Sequence, residues 1–145
     1  DLTSAEIITD LRAAMQTILT AIKGVSGIRP NRLALPAAQF ADLAMRPRDS
    51  GTDETVLSFL KRVLTAYDPD FQIVQTQKLV ASGAGSTDEF ALYRSDPMVL
   101  GQVLVKPYTE LPPQEDGFDT VIHCAAEHGG VVIKQPKACG KFRGI

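Results

Sequence analysis

An amphipathic helix near the N-terminus constrains the fold more than any other feature of the sequence. Thr3-Ser4-Ala5-Glu6 has the pattern of a capping box, in which the threonine hydroxyl and the glutamate carboxylate satisfy backbone donors at a helix start. Gly24 and Gly27 supply a stop. Between these signals the apolar residues recur at three- and four-residue steps on one face: Ile7, Ile8, Leu11, Met15, Ile18, Leu19 and Ile22. The remainder of the chain must supply an apolar surface that buries this face.

Two more helices are predicted in the first half of the chain. Arg32–Leu35 has the composition of a short strand, and Pro36 follows it directly. Because proline has a fixed φ and no N–H, it suits the first turn of a helix over Ala37–Met45. A third helix is predicted to begin at Asp53-Glu54, where the helix dipole favours negative charge, and to run to Tyr67 before Asp68-Pro69 ends it.

The second half of the chain favours short strands. The proline pair in Leu111-Pro112-Pro113 cannot lie within a central strand. The predicted strands are Phe71–Val74, Lys78–Val80, Phe90–Tyr93 and Val99–Val105, followed by a hairpin of Phe118–Ala126 and Val131–Ile133 closed around His128-Gly129-Gly130. This order predicts an α+β fold, in which helices of the N-terminal half pack on a mixed or antiparallel sheet from the C-terminal half. We expect one compact unit, because no linker divides the chain.

Composition excludes several classes of function. The net charge of −2 is too small to require nucleic acid as a partner. No apolar run approaches the roughly 18–20 residues that span a bilayer, so no membrane partner is expected. Cys124 and Cys139 are too few for a disulfide framework. With no export signal recognisable after Asp1, the expected compartment is the cytoplasm.

A glycine loop offers one candidate ligand site. Gly83-Ala84-Gly85-Ser86-Thr87 has the small residues of a phosphate-binding loop. Such a loop needs a closing Lys-Ser/Thr pair and a following helix. Here no Lys follows, and Phe90–Tyr93 is β-like. A connector is therefore favoured, and a small-ligand or nucleotide-binding module that uses Gly83–Gly85 remains the alternative.

The histidines and cysteines do not form a recognisable catalytic or metal-binding motif. Zinc ligands usually come in pairs two to four residues apart, a spacing that His123, Cys124, His128 and Cys139 do not give. No Gly-x-Ser-x-Gly elbow is present. A hydrolase built on Cys139 and His128 is a weaker third hypothesis. We therefore expect no catalytic, cofactor-binding or metal-binding residues, and a protein that is not an enzyme.

Charged residues are grouped toward the C-terminus. Acidic residues surround the proline pair, and basic residues occupy the tail; they are Glu110, Glu115, Asp116 and Asp119 on one side and Lys134, Lys137, Lys141 and Arg143 on the other. The simpler interpretation is solubility. The alternative is complementary charge across a subunit contact, where it would set register more than affinity.

The order of short motifs resembles that of the tailed-phage major capsid proteins with the Hong Kong 97-like fold, and most of all the branch found in prophages. The matching stretches run through most of the chain: Arg32–Pro36 leading into the Phe40–Leu43 helix, Thr55–Leu60, Leu79–Gly85, Leu92–Pro97, Leu111–Gln114 and Gly129–Ala138. The last of these is the most distinctive.

The resemblance implies a fold and a function. Residues 1–98 would form the axial-type domain, and the strands of 99–145 would return to a peripheral-type domain. The family's N-terminal arm, extended loop and spine helix are not in the sequence, so the chain would be a C-terminal portion of a longer subunit. Its function would be that of a structural subunit of an icosahedral phage or prophage shell, or of the related encapsulin-type nanocompartment.

The implied partners are copies of the same protein. The full-length parent would make pentamer and hexamer contacts, and its inner face could touch packaged DNA. The implied location is the virion capsid, with the host cytoplasm as the site of assembly.

Overall fold

The N-terminal helix and its cap form as the sequence predicts. The computed structural model describes residues 3–143, and α1 spans Ser4–Ala21. The Glu6 N–H donates to the Thr3 hydroxyl at 3.3 Å, and the Thr3 N–H donates to the Glu6 carboxylate at 2.7 Å. This confirms the capping box. Of the buried residues of α1, Ile7, Leu11 and Ile18 belong to the predicted apolar face, and Ala14 is buried in addition to them.

The next segment confirms the predicted order of strand, proline and helix. β1 is Arg32–Leu35 and α2 is Ala37–Met45, with Pro36 as the residue before the helix. The third helix, α3, spans Val56–Tyr67 and is capped by the Thr55 hydroxyl. It begins after Asp53-Glu54 rather than at these residues, because Thr55 supplies the cap and Glu54 binds arginines.

A mixed four-stranded sheet supports the helices. β2 is Gln72–Gln75, β3 is Glu89–Tyr93 and the last strand, β8, is Gly140–Arg143. The strand order is β2-β1-β3-β8, in which β1 and β2 are parallel and the other pairs are antiparallel. Two of these strands come from the first 75 residues, so the sheet draws on both halves of the chain. The α+β class is confirmed.

One face of this sheet carries the core. Alternation along the strands places the buried residues of β1 and β3 on the same side. There they join α1, α2 and α3 in a single hydrophobic cluster, whose strand members are Leu33, Leu35, Phe90 and Leu92. Ala34 is also buried but lies outside this cluster, as its position on the opposite face of β1 requires.

The prediction of a strand over Lys78–Val80 is wrong. Gln77–Leu79 form a short 3-10 helix instead. The Thr76 hydroxyl accepts the Lys78 N–H at 3.2 Å, and the Val80 N–H returns to the Gln77 carbonyl at 3.3 Å. These local bonds compete with strand pairing and turn the chain.

A long two-stranded ribbon leaves the sheet. β4 is Leu100–Glu110 and pairs antiparallel with β7, Cys124–Ile133. Between them lies a small hairpin of β5, Gln114–Asp116, and β6, Asp119–Val121. We call Leu100–Ile133 the arm, and the rest of the described chain the body.

The prediction of a hairpin closed around His128-Gly129-Gly130 is wrong. These residues lie inside β7, opposite β4, and do not form a turn. The chain reverses at Gly117-Phe118, and Pro112-Pro113 lie within the hairpin, beyond the hydrogen bond from the Leu111 N–H to the His123 carbonyl. A Cβ on Gly129 would come within 3.0 Å of Val103 Cγ1, and Gly130 has φ +85°. The glycines therefore allow a close approach and a bend within a strand.

The chain re-enters the body after the arm. The Lys134 N–H donates to the Val99 carbonyl at 2.8 Å, and Pro136–Ala138 form a 3-10 turn against α1. β8 then completes the sheet beside β3. The division into an axial-type unit of 1–98 and a peripheral-type unit of 99–145 stays a prediction. Among the described residues, no helix is both long and apolar enough to cross a bilayer.

Candidate assembly surfaces

An apolar groove runs between α1 and α3. Its volume is about 380 Å³, and its floor is formed by Leu33 of β1 and Leu92 of β3. The walls are aliphatic and aromatic side chains of the two helices: Ile8, Leu11, Met15, Phe59, Leu60, Val63, Leu64 and Tyr67. Arg12 and Gln16 are the two remaining lining residues. The groove arises because both helices turn apolar faces toward the sheet without closing on each other.

One end of the groove holds an unsatisfied donor. The Tyr67 hydroxyl is buried and has no hydrogen-bond partner among the described residues. Burial raises the pKa of Tyr67 because it disfavours the phenolate. The Arg29 guanidinium lies over the ring, 5.7 Å from its centre. The surface that the groove offers to a docking group is therefore almost entirely apolar.

The arm exposes many large apolar side chains. They are found along both strands and around the tip: Val103, Leu104, Val105, Tyr108, Leu111, Phe118, Val121, Ile122, Val131, Val132 and Ile133. A two-stranded ribbon is at best marginally stable in water by itself. Its outer edges also present unpaired backbone groups. Such a surface is typical of a segment that other protein covers.

The tip of the arm is a tight turn that presents an aromatic ring. β5 and β6 pair up to Asp116 opposite Asp119, which leaves Gly117 and Phe118 as the turn. Gly117 has φ +67°, which favours glycine. Phe118 is fully exposed, while the exposed carboxylates of Glu115 and Asp119 flank it.

A polar network links β4 and β7 where these two strands lead into the tip hairpin of the arm. The Tyr108 hydroxyl lies 3.2 Å from Cys124 Sγ and 2.8 Å from a Glu110 carboxylate oxygen. These hydrogen bonds, the one to Cys124 above all, raise the pKa of Tyr108 to about 12. The network lies next to the irregular part of the β4–β7 ladder.

The glycine loop of Gly83–Gly85 uses its own backbone donors. The Gly83 N–H donates to the Thr87 carbonyl, and the Ser86 N–H to the Gly83 carbonyl. Asp88 accepts from the Ala81 N–H and from Gln39, which lowers its pKa. With carboxylates at its end, no Lys or Arg within it, and β3 rather than a helix after it, the loop lacks the positive charge and the helix N-terminus of a phosphate site.

The structure places the predicted cysteine and histidine candidates in different parts of the fold. His123 and Cys124 lie at the far end of the arm, and the backbone of His128 lies opposite Leu104. Cys139 lies in the body, where burial raises the pKa of its thiol and disfavours the thiolate nucleophile. Across residues 3–143, no set of three His, Cys, Asp or Glu residues could hold a metal ion.

The basic tail is largely used within the chain. Lys141 and Arg143 form ion pairs with the buried carboxylate of Glu89, which also accepts from the Ser82 hydroxyl at 2.8 Å. The Lys141 and Ser82 hydrogen bonds lower the pKa of Glu89. Lys134 donates to the Pro97 carbonyl at 2.9 Å. These cations fasten β8 and the base of the arm, a role that sequence reasoning did not assign to them.

The groove and the exposed arm were both missed from sequence. The groove had a signal, since α1 and α3 each carry an apolar face that one sheet face must accommodate. The arm had no positive signal in the sequence. Apolar and polar residues do not alternate regularly in Leu100–Glu110 and Cys124–Ile133, because neither face of the ribbon is buried.

Known proteins with a similar sequence pattern or a similar fold are capsid and virus-like particle proteins. The family model of the major capsid protein matches residues 1–145. Among solved structures, the capsid of Myoviridae phage XM1 matches with a TM-score of 0.78 at 16% identity, covering 100% of this chain and 48% of that one. A virus-like particle from Pyrococcus furiosus matches with a TM-score of 0.62 at 20% identity, covering 97% and 52%. This chain therefore spans about half the length of either. No curated protein matches.

Proposed function

Since the chain belongs to the major capsid protein family, we propose that it forms part of the structural subunit of a phage or prophage shell and acts by association with copies of itself. The observation that carries this proposal is the arm. It exposes apolar side chains along two strands of ten and eleven residues, and no second layer formed by the described residues covers them. Monomeric proteins rarely expose so large a contiguous apolar surface.

The chemistry of the molecule supports a structural rather than a catalytic role. The glycine loop contains no Lys or Arg and leads into β3 rather than into a helix. The thiol of Cys139 is disfavoured as a nucleophile by burial. We therefore propose a subunit without catalytic activity, whose surfaces are its function.

The proposal extends to partners and place. Copies of the parent protein would meet in pentamers and hexamers, the body at the axial positions and the arm at the periphery. The inner face would lie against packaged DNA. The subunit would assemble in the host cytoplasm and reside in the virion capsid.

A second candidate is the shell of an encapsulin-type nanocompartment. The observation that favours it is the fold shared with the virus-like particle from Pyrococcus furiosus. Both candidates predict a closed shell, so they differ in content rather than in subunit contacts.

Electron microscopy of the full-length parent protein tests both candidates. Closed shells of uniform size are expected after expression, and nuclease-resistant DNA inside them would favour the phage capsid over the nanocompartment. Persistent monomers at high concentration would contradict a shell function of either kind.

A further inference from the structure

We propose that the arm tip of one copy docks into the groove between α1 and α3 of a second copy, with Phe118 as the anchor. This proposal rests on the self-association proposed above and names two surfaces for it. Phe118 is fully exposed and so is not seated in the groove of its own chain. The groove is apolar, open and about 380 Å³ in volume. That space is ample for one aromatic side chain and its neighbours.

Length allows the tip to reach another molecule. β4 has eleven residues, and at about 3.3 Å per residue it spans roughly 35 Å. The β5–β6 hairpin extends beyond the end of this ribbon in sequence. The tight turn at Gly117 places Phe118 at the outermost point of the β5–β6 hairpin.

Charge complements shape at this contact. Residues 100–133, the arm, contain five carboxylates and one Lys, whereas the rest of the chain carries fourteen Lys and Arg against twelve carboxylates. The arm is therefore acidic and the body is basic. Arg12 is the one charged residue that lines the groove, while Glu115 and Asp119 flank Phe118 at the tip. The opposite charges would steer the tip to the groove.

An exposed aromatic turn with flanking carboxylates therefore matches the groove in shape and charge.

The anchor and the groove lie on different parts of one chain, so the contact can repeat in two ways. Two copies that exchange arms reciprocally form a closed two-fold dimer, whereas head-to-tail exchange generates rings where the rotation closes and open chains where it does not.

The test is self-association of the full 145-residue chain by sedimentation velocity over a range of concentrations. Phe118→Ser removes the anchor and Val63→Asp places a carboxylate in the groove wall. Each is expected to weaken association about 30-fold, the effect of losing an interface hot spot. Gln102→Ser, a polar exposed position elsewhere on the arm, and Val25→Asp, elsewhere on the body, are the matched controls and should associate like the wild type. Circular dichroism confirms that each variant is folded.

Mixing the two variants separates this contact from all others. Phe118→Ser retains its groove and Val63→Asp retains its anchor, so an equimolar mixture should form a one-to-one complex that grows no further. A charge swap gives a second test: Arg12→Glu should weaken association, and Glu115→Lys with Asp119→Lys should restore it.

Several results would overturn the proposal. Unchanged association of Phe118→Ser would do so, as would a mixture that fails to pair, or a wild-type chain that stays monomeric at every concentration. The shell function has its own readout, since electron microscopy of the parent protein could still reveal closed shells built on other contacts.

Discussion

The strands of the body and of the arm both carry aliphatic side chains, but these side chains are buried in the body and exposed in the arm. In the body, β1 and β3 place Leu33, Leu35 and Leu92 under the helices, where they are almost fully buried. In the arm, Leu104, Val105 and Ile133 are about half exposed. Burial of apolar area is the main favourable term in folding. The body therefore supplies its own stability, whereas the arm obtains little from its own contacts.

The body can fold by its own contacts, whereas the arm leaves apolar surface for association. A layered body needs no partner to cover its core. A ribbon with apolar residues on both faces gains most when another surface covers it. Paired substitutions, one in the body and one in the arm, test this difference in stability.

Removing one phenylalanine from each region should give the largest contrast. Phe90 is 1% exposed and stacks on Phe142, with ring centres 5.4 Å apart. Phe90→Ala should lower the free energy of unfolding by about 3–5 kcal/mol, because it leaves a cavity in the core. Phe118→Ala should change it by less than about 0.5 kcal/mol, as exposed positions do. Urea unfolding of the monomeric chain measures both. Equal losses would show that the arm tip is packed in solution.

A glycine in each region gives the next contrast. A Cβ on Gly140 would lie 2.5 Å from Phe142 Cε2 and 3.1 Å from Ile18 Cδ1. The ring is held by its stacking on Phe90, so Gly140→Ala should cost about 1–3 kcal/mol through overpacking. On Gly129 the nearest atom is a methyl of Val103 at 3.0 Å, at an exposed site that can adjust. Gly129→Ala should therefore cost clearly less. Thermal unfolding of the two variants compares them, and the reverse order would contradict the contrast.

The success of sequence reasoning follows the same division. Local signals fixed the body well: the Thr3 cap, the Pro36 junction and the stripe of α1 depend on residues close in sequence. The α+β class followed from those elements. The strand predicted at Lys78–Val80 failed because the Thr76 hydroxyl offers a local bond that propensity does not weigh.

Prediction failed most in the arm, for a physical reason. Gly129 and Gly130 have the composition of a turn, yet they lie in β7 because β4, more than twenty residues earlier, supplies a partner whose valines come close. That partnership is non-local and leaves no periodicity, since neither face is buried. The groove depends likewise on how far apart two helices settle on the sheet, which no single helix pattern specifies.

Acid should act on the body through Glu89. The ion pair and hydrogen bonds from Lys141 and Ser82 lower the pKa of this carboxyl in the folded chain. A lowered folded pKa means that Glu89 contributes stability above the unfolded value of 4.5, and that this contribution is lost as pH falls through the folded pKa. Glu89→Gln should thus be less stable than the wild type at neutral pH, and the difference should shrink below pH 4.5. Melting temperatures across this range measure it, and a constant difference would argue against the carboxylate as the cause.

Alkali should act on the arm through Tyr108, with the smallest effect on stability. Hydrogen bonds to Cys124 and Glu110 raise the pKa of Tyr108 from 10.0 to about 12. The raised pKa means that the stabilisation is complete below the unfolded value and is lost as pH rises through the folded one. Ultraviolet titration should therefore reveal a late-titrating tyrosine that disappears in Tyr108→Phe, and Cys124→Ala should return the pKa of Tyr108 toward 10.0. Because the network lies in an exposed ribbon, melting temperature should hardly change between these variants at neutral pH. A large drop would mean that the strands of the arm depend on their own side chains, and the contrast with the body would then be one of degree.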